Sequence, residues 1–262
     1  MQQNPIGLFD SGIGGTSIWK EITALLPSEN TIYLSDSKNA PYGQKSKEQI
    51  LNICINNTEF LLEQNCKLIV VACNTATTNA IKYLRAHYKI PFIGIEPAIK
   101  PAALKTKTNI VGVLATKGTL NSDLFEKTSS KIDTKVKIIE QIGEGLVELI
   151  ENGKLDSKEM ESLLKSYINP MLEKNADCLV LGCTHYPYLI PQIRKIAGDK
   201  ITIIDSGEAV AKQTKNILNT LDLKNQTNLK ASHQFYINTN PKVLEEIINT
   251  PKLKTKINQL DF

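Results

Sequence analysis

Two cysteines stand at matching points of a stretch that the chain carries twice. LEQNCKLIVVACNT spans residues 62–75 and LEKNADCLVLGCTH spans residues 172–185, and the two copies align without a gap. The alignment places Cys73 and Cys183 at a constant offset of 110 residues, each after an apolar run that predicts a buried strand. Ligands bind at the carboxyl ends of the strands in an open parallel sheet. The repeat therefore predicts one cleft with a thiol on each wall.

Two thiols that face each other suit three kinds of chemistry: a redox disulfide, a metal site or a pair of acid/base groups. Redox pairs typically occupy a CxxC motif, whereas these cysteines lie in separate halves. A metal needs further ligands, and Asn74 and Thr75 after the first cysteine are poor ligands for a soft metal. Inversion of a carbon centre needs one acid/base group on each face, and a thiol with a reference pKa of about 8.5 suits both roles. We therefore expect Cys73 and Cys183 to act as an acid/base pair with no bound metal.

Further polar residues gather at the predicted ends of the strands. Asp10 and Ser11 end the first strand and lead into Gly12, Gly14 and Gly15, a glycine turn whose N–H groups would form an anion site at a helix start. The turn lacks the GxGxxG spacing and the Walker lysine, so it predicts no nucleotide site, and a carboxylate is an equally good guest. The residues that follow the two cysteines are placed to hold a small zwitterion: Asn74, Thr75, Thr184 and His185.

The elements that carry these residues indicate an α/β protein with parallel strands, because short apolar runs alternate with helical stretches. The pattern starts at IGLFD (6–10) and restarts at NIVGVLAT (109–116), and each half contains four predicted strands. We expect the third strands to span 68–73 and 178–183, with a helix from about 77 to 87 after the first. The C-terminal part should return to the first half. The predicted domains are residues 1–97 plus 208–262 and residues 98–207, joined by a linker at 96–108.

The composition is that of an ordinary globular protein, with 41% hydrophobic and 22% charged residues in 262. The net charge of +4 comes from scattered lysines, and we interpret the KLKTK tail (252–256) as solvated surface, so nucleic acid is not an expected partner. The chain shows no signal-peptide pattern and no apolar run of the roughly 20 residues that a membrane helix needs. We expect a cytoplasmic protein without disulfides, in which Cys54, Cys66 and Cys178 are small buried hydrophobes.

Five short motifs occur in a characteristic order: FDSGIGG, APYG, ACNTAT, LATKGT and GCTHYP. With them the chain resembles the bacterial glutamate racemases of the cofactor-independent aspartate/glutamate racemase superfamily, from about Ile6 to the final helix. The resemblance implies two similar doubly wound parallel-sheet domains related by pseudo-twofold symmetry, with the active site in the cleft between them. It implies an isomerase that interconverts L- and D-glutamate without pyridoxal phosphate or metal. D-Glutamate would serve peptidoglycan synthesis, and hence cell wall biogenesis and cell shape.

The resemblance also implies roles for individual residues. Cys73 and Cys183 would be the two bases, with Asp10 assisting the first and His185 the second. Glu151 matches a helix acid placed near the second thiol, although its helical context equally suits a plain surface acid. Positions that match substrate-binding residues are Asp10, Ser11, Tyr42, Gly43, Asn74, Thr75, Thr116, Thr119, Thr184 and His185. Tyr42 could equally be a turn residue after Pro41.

Members of this family commonly form homodimers, which we expect here. Some carry an N-terminal extension linked to activation by a cell-wall precursor. Since the first predicted strand begins by Ile6, we expect no dependence on that precursor. Two alternatives stay open: a racemase of aspartate or another amino acid, and a binding protein for a thiol-bound metal or a small molecule.

Overall fold

The structure, a computed structural model, describes residues 2–227, 229–248 and 253–262. The predicted first domain includes residues 1, 228 and 249–252, which lie outside the described residues. The first half contains β1 (Ile6–Asp10), α1 (Thr16–Leu25), β2 (Thr31–Ser35), α2 (Lys47–Glu63), β3 (Leu68–Val71), α3 (Asn74–His87) and β4 (Phe92–Gly94).

The second half follows directly along the chain. Its elements are α4 (Ile99–Lys105), β5 (Ile110–Ala115), α5 (Lys117–Leu120), α6 (Asp123–Ser129), β6 (Lys137–Ile142), α7 (Leu146–Glu151), α8 (Lys158–Glu173), β7 (Cys178–Gly182), α9 (Ile190–Ala197) and β8 (Thr202–Ile204). The C-terminal part adds α10 (Gly207–Thr220), β9 (Ser232–Ile237), α11 (Lys242–Ile248) and β10 (Lys254–Gln259).

The strands form two sheets, and every described strand pair is parallel. The first sheet has the order β10-β9-β2-β1-β3-β4 and the second has the order β6-β5-β7-β8. The four strands β2-β1-β3-β4 therefore repeat as β6-β5-β7-β8, each in the same chain order. The predicted fold class, two parallel-sheet α/β domains built from a duplication, is confirmed.

Both faces of the strand before Cys73 are covered. Leu68 and Val70 belong to the apolar cluster that includes Trp19 of α1, whereas Ile69 and Val71 belong to the cluster on the α2 side. A strand buried on both faces has no polar side to present, which explains why β3 shows no alternation in sequence. This buried strand thus fixes the point at which the chain leaves the first sheet and reaches Cys73.

The identical asparagines of the repeat end its two long helices. Asn65 follows α2 with φ 58° and Asn175 follows α8 with φ 60°. In each case the next N–H bonds back five residues, from Cys66 to Leu61 at 3.1 Å and from Ala176 to the carbonyl of residue 171 at 3.0 Å. Asparagine tolerates this left-handed conformation better than most residues. The same turn therefore delivers the chain into β3 and β7.

The third strands end before the cysteines, at Val71 and Gly182 rather than at residues 73 and 183. Two further predictions are wrong. The helix after the first cysteine begins at Asn74 rather than near Thr77, because Cys73 caps it, with its Sγ accepting the N–H of Ala76 at 3.4 Å. The predicted linker is partly helical, since α4 buries Ile99 and Ala102 against the second sheet. Sequence reading missed both because thiols are unusual caps and α4 is short.

The C-terminal part contains two strands, of which β9 is predicted by the HQFYINTN run (233–240) and β10 is not. β9 pairs with β2, and β10 pairs with β9 at the edge of the first sheet. Lys254 and Lys256 of the KLKTK tail lie on β10 and are exposed, while Lys252 lies outside the described residues. Lysines at an edge strand discourage pairing with other chains. The predicted domain limits remain a prediction. Among the described helices, none has the length and apolar character needed to cross a membrane.

Candidate active site

Cys73 and Cys183 line one cavity at the junction of the two halves. Its volume is about 10 Å³. A cavity needs roughly 10–15 Å³ to hold a single water molecule, so the cleft is closed and has to open to admit an amino acid. The cavity is lined by Ser11, Pro41, Tyr42, Gly43, Cys73, Asn74, Thr75, Thr116, Val147, Cys183 and Thr184.

The wall around Cys73 carries a buried carboxyl group. Burial raises the pKa of Asp10 to about 6, although His185 and the N–H of Gly15 act in the opposite direction. Burial, together with the nearby Asp10, raises the pKa of Cys73 well above its ordinary value, while the Ala76 N–H only partly compensates. The Cys73 thiol donates to the Ser11 hydroxyl at 3.8 Å. At neutral pH this thiol is therefore protonated.

The wall around Cys183 carries a histidine instead. The Cys183 Sγ lies 3.8 Å from His185 Nδ1, and His185 Nε2 lies 2.6 Å from Glu151 Oε1. Burial would lower the pKa of His185, but Cys183 and Glu151 together raise it well above its ordinary value. The raised pKa favours the imidazolium form of the ring, whose Nε2 also lies 3.3 Å from the backbone N of Gly14. An imidazolium is a partner that stabilises a thiolate.

Glu151 at the end of α7 reaches across to the first half. Its Oε1 also accepts the N–H of Ile13 at 2.7 Å, and its Oε2 accepts the hydroxyl of Ser37 at 2.7 Å. Its side chain is 13% exposed. Glu151 thus lies against His185 and not on open surface.

The N–H groups of the glycine turn are occupied by side chains of the protein itself. Ile13 N–H bonds to Glu151, and Gly15 N–H bonds to Asp10 Oδ2 at 2.9 Å. A methyl group at Gly12 would overlap Glu151, and one at Gly14 would overlap His185. The expected anion site exists, but it holds two side-chain carboxylates rather than a guest. The glycines are needed for this close approach.

Three threonine hydroxyls meet beside the cavity. Thr75 Oγ1 lies 2.9 Å from that of Thr116 and 3.5 Å from that of Thr119, which are themselves 3.0 Å apart. Thr75 belongs to α3 and the other two belong to the start of α5, so the cluster joins the two halves. Next to it, both polar atoms of the buried Asn74 amide lack a hydrogen-bond partner among the described residues. A buried amide of this kind is costly unless a ligand satisfies it.

Three other predicted residues have defined partners. The Tyr42 hydroxyl donates to Asp36 Oδ2 at 2.5 Å, so its ring lines the cavity while its polar tip is engaged elsewhere. Thr184 Oγ1 donates to Asp10 Oδ1 at 3.2 Å. Gly43 lies where an added methyl group would be 3.3 Å from Thr116.

Sequence reasoning missed two groups of this site. They are the backbone N–H of Ile13 and the hydroxyl of Ser37, both bonded to Glu151. The signal available for Ser37 is its place just beyond the carboxyl end of β2, at the edge where the other site residues lie. Among the described residues, no group of three or more His, Cys, Asp or Glu side chains is arranged to hold a metal ion.

Comparison with known proteins decides the family. The model of the Asp/Glu/hydantoin racemase family matches residues 13–214. The chain belongs to this family. A glutamate racemase from Herpetosiphon aurantiacus is 44% identical over 241 residues, covering 92% of this chain and 95% of that protein. The resemblance drawn from the five motifs is confirmed.

Solved structures of family members agree. A glutamate racemase isoform from Bacillus anthracis superposes with a TM-score of 0.88 at 32% identity, covering 100% of this chain and 99% of that one. A glutamate racemase from Francisella tularensis in complex with D-glutamate gives a TM-score of 0.84 at 31% identity, covering 100% of this chain and 98% of that one. The Asp/Glu/hydantoin racemase architecture therefore extends over the whole chain.

Proposed function

We propose that this protein is a glutamate racemase that interconverts L- and D-glutamate without a cofactor, with Cys73 and Cys183 as its two bases. The observation that carries the proposal is that two thiols from opposite halves line one closed cavity, each with its own ionisable neighbour. The names of the relatives support glutamate as the substrate, and the Francisella protein binds D-glutamate.

Substrate binding is assigned to the polar groups of the cavity. The unpartnered Asn74 amide can donate to a carboxylate and accept from an ammonium group, which an α-amino acid presents side by side. The hydroxyls of the threonine cluster can reorient toward a second carboxylate. The full set proposed for substrate binding is Asp10, Ser11, Tyr42, Gly43, Asn74, Thr75, Thr116, Thr119, Thr184 and His185. Of these, Asp10, Thr119 and His185 do not line the closed cavity.

The proton inventory of the reaction balances within the site. The cleft closes on glutamate and excludes water, and the Cys183 thiolate takes the α-proton from one face. Fixed hydrogen-bond donors around the α-carboxylate stabilise the charge that develops on it. The Cys73 thiol then gives its proton to the opposite face. The enantiomer is released with Cys183 protonated and Cys73 ionised, and the reverse reaction uses the same two groups in exchanged roles.

Asp10, His185 and Glu151 are proposed to support these transfers. Asp10 lies beside the first thiol, and its neutral form near pH 6 makes it able to exchange a proton there. His185 lies 3.8 Å from the Cys183 Sγ, where it can stabilise a thiolate, and Glu151 holds the His185 ring in place. The two supports are neighbours, since Asp10 Oδ2 lies 4.0 Å from His185 Nδ1.

The cellular setting follows from the same resemblance. We propose that the protein is a cytoplasmic homodimer that supplies D-glutamate for peptidoglycan, and hence for cell wall biogenesis and cell shape. The domain limits of 1–97 plus 208–262 and 98–207 belong to this proposal. The pairing of β9 with β2 supports the return of the C-terminal part to the first half.

Proton exchange in heavy water tests the function. Protein treated with chelator, with no cofactor added, is incubated with L-glutamate in D₂O while the α-proton signal and the optical rotation are followed. Both should decay to zero, since each inversion delivers a solvent-derived deuteron. L-Aspartate under the same conditions should keep both signals. If folded protein leaves both glutamate signals unchanged, the proposed function is wrong.

A further inference from the structure

Ser37 belongs to the first half but bonds to Glu151, the partner of His185 in the second half. It follows β2 in a turn, is half-buried, and donates its hydroxyl to Glu151 Oε2 at 2.7 Å. Ser35 lies next to it, with 3.1 Å between the two hydroxyl oxygens. The proton transfers described above make no use of Ser37, so its hydrogen bond to Glu151 calls for a role.

The contacts of Glu151 divide between its two oxygens. Oε1 meets the His185 ring and the Ile13 N–H, whereas Ser37 is the described hydrogen-bond partner of Oε2. Beyond Glu151 and Ser37 lies a second cavity of about 400 Å³, which both residues line. Without the Ser37 hydroxyl, Oε2 would face this space and its water. The carboxylate could then rotate away from the ring that it orients.

Separation of the two halves would break the same contacts. The cavity between the thiols is too small for an amino acid, so the two halves have to separate for substrate to arrive. Ser37 and Ile13 belong to one half, and Glu151 and His185 belong to the other. The hydrogen bonds of Ser37 and Ile13 to Glu151 would therefore form only when the cleft closes.

We propose that Ser37 is a positioning residue whose hydroxyl, on closure of the cleft, fixes Glu151 against His185 and so prepares Cys183, but not Cys73, for proton transfer. The inference rests on the proposed racemase function. It couples closure over the substrate to activation of one thiol.

Racemisation rates alone do not test the proposal. Two enantiomers have equal free energy in water, so kcat/KM has to be the same in both directions for every variant. Damage to one thiol therefore lowers both values equally. A test needs an assay that isolates each thiol.

Single-thiol variants supply that assay. In a Cys73→Ala background, Cys183 can still exchange the α-proton of the enantiomer that faces it, without inversion, and in a Cys183→Ala background Cys73 does the same for the other enantiomer. Deuterium uptake with retained configuration in D₂O reports each transfer within the closed site. Whichever enantiomer exchanges in each background identifies the face that each thiol serves.

Ser37→Val and Ser37→Thr form the matched pair. Valine and threonine side chains have the same shape, but only threonine keeps the hydroxyl. The 400 Å³ cavity has room for the methyl group that both add to serine. Ser37→Val should slow exchange at Cys183 about tenfold, the expected loss for one hydrogen bond to a charged group, and should change exchange at Cys73 by less than about twofold. Ser37→Thr should restore the rate at Cys183.

Gln44→Ala controls for closure itself. The Gln44 amide also crosses between the halves, donating to Glu148 Oε1 at 2.9 Å, but it contacts neither Glu151 nor a residue next to either thiol. It should affect both thiols alike. An equal loss at both thiols for Ser37→Val, no loss at either, or no rescue by threonine would overturn the proposal. Failure of the unaltered protein to racemise glutamate would instead contradict the proposed function.

Discussion

The two walls of the cleft share a strand order but differ in the charge beside their thiols. Cys73 caps the 14-residue helix α3, and the carboxyl group of Asp10 lies beside it. Cys183 precedes a short turn and has the His185 ring beside it, supported by Glu151. The duplication thus places equivalent thiols on both walls, but it surrounds them with different ionisable neighbours.

Burial and the neighbouring Asp10 raise the pKa of Cys73 and so favour the protonated form of that thiol. The group beside the other thiol is a ring, since His185 Nδ1 lies 3.8 Å from the Cys183 Sγ. In the proposed reaction each inversion exchanges the protonation states of the two thiols. A solvent-mediated return step then has to follow before the same enantiomer can react again.

Removal of either thiol has the largest expected effect. Cys73→Ala and Cys183→Ala should each slow racemisation about 10³-fold or more, because one face then lacks its acid/base group. The two variants should differ in which enantiomer still exchanges its α-proton. Polarimetry and proton NMR in D₂O measure both quantities.

Cys178→Ala is the matched control for these variants. It removes a buried thiol from β7, the strand that leads to Cys183, without touching the cavity. It should keep the racemisation rate within about twofold, since core replacements of this size act mainly on stability. Near-normal racemisation by either Cys73→Ala or Cys183→Ala would break the two-wall comparison altogether.

The parts of the molecule that were predicted from sequence are those set by periodicity and repetition. The β3 run and its copy in β7 showed two buried strands, and the alternation with helices indicated parallel sheets. Both cysteines were recognised because they stand at the same place in two copies. Such features depend on local pattern, which a single sequence displays.

The missed parts depend on contacts between distant residues. The partners of the glycine turn could not be read from sequence, because Glu151 lies in the other half of the chain. Ser37 carries no local signal of its partner, and the lysine-rich β10 becomes a strand only because β9 offers it an edge. In each case tertiary structure supplied a neighbour that local preference does not encode.

The pH dependence of stability sharpens the comparison at the Cys73 wall. The pKa of Asp10 is raised to about 6 from an ordinary value of 3.8, so the folded state holds this proton more tightly than the unfolded state. The free energy of unfolding should therefore fall as pH rises from about 4 to 6, by up to about 3 kcal/mol, and stay lower above that range. Asp10→Asn has no carboxyl group to titrate here, so it should remove this loss of stability.

Urea unfolding of Asp10→Asn and of the unaltered protein at pH 4 and pH 8 measures the effect. The asparagine oxygen can still accept the Gly15 N–H, so the turn keeps its bond. The variant should gain stability relative to the unaltered protein at pH 8 and show little gain at pH 4. If Asp10→Asn changed the free energy of unfolding by the same amount at pH 4 and pH 8, the pKa of Asp10 would not be raised by folding. The difference between the two walls would then rest on His185 alone.

The smallest expected effect is on stability, at the two asparagines that end the long helices of the repeat. Asn65 and Asn175 hold the same left-handed turn, with φ 58° and 60°, and neither contacts the thiols. Replacement by alanine should cost about 1 kcal/mol at each position, because alanine pays the steric penalty of that conformation, while glycine should be tolerated. Thermal unfolding measures both losses, and racemisation should be unchanged. Equal losses would show that the duplication is preserved where it serves folding, in contrast to the walls, where it has diverged for chemistry. A loss of stability at one asparagine only would mean that the two halves differ in how they fold as well as in the charges beside their thiols.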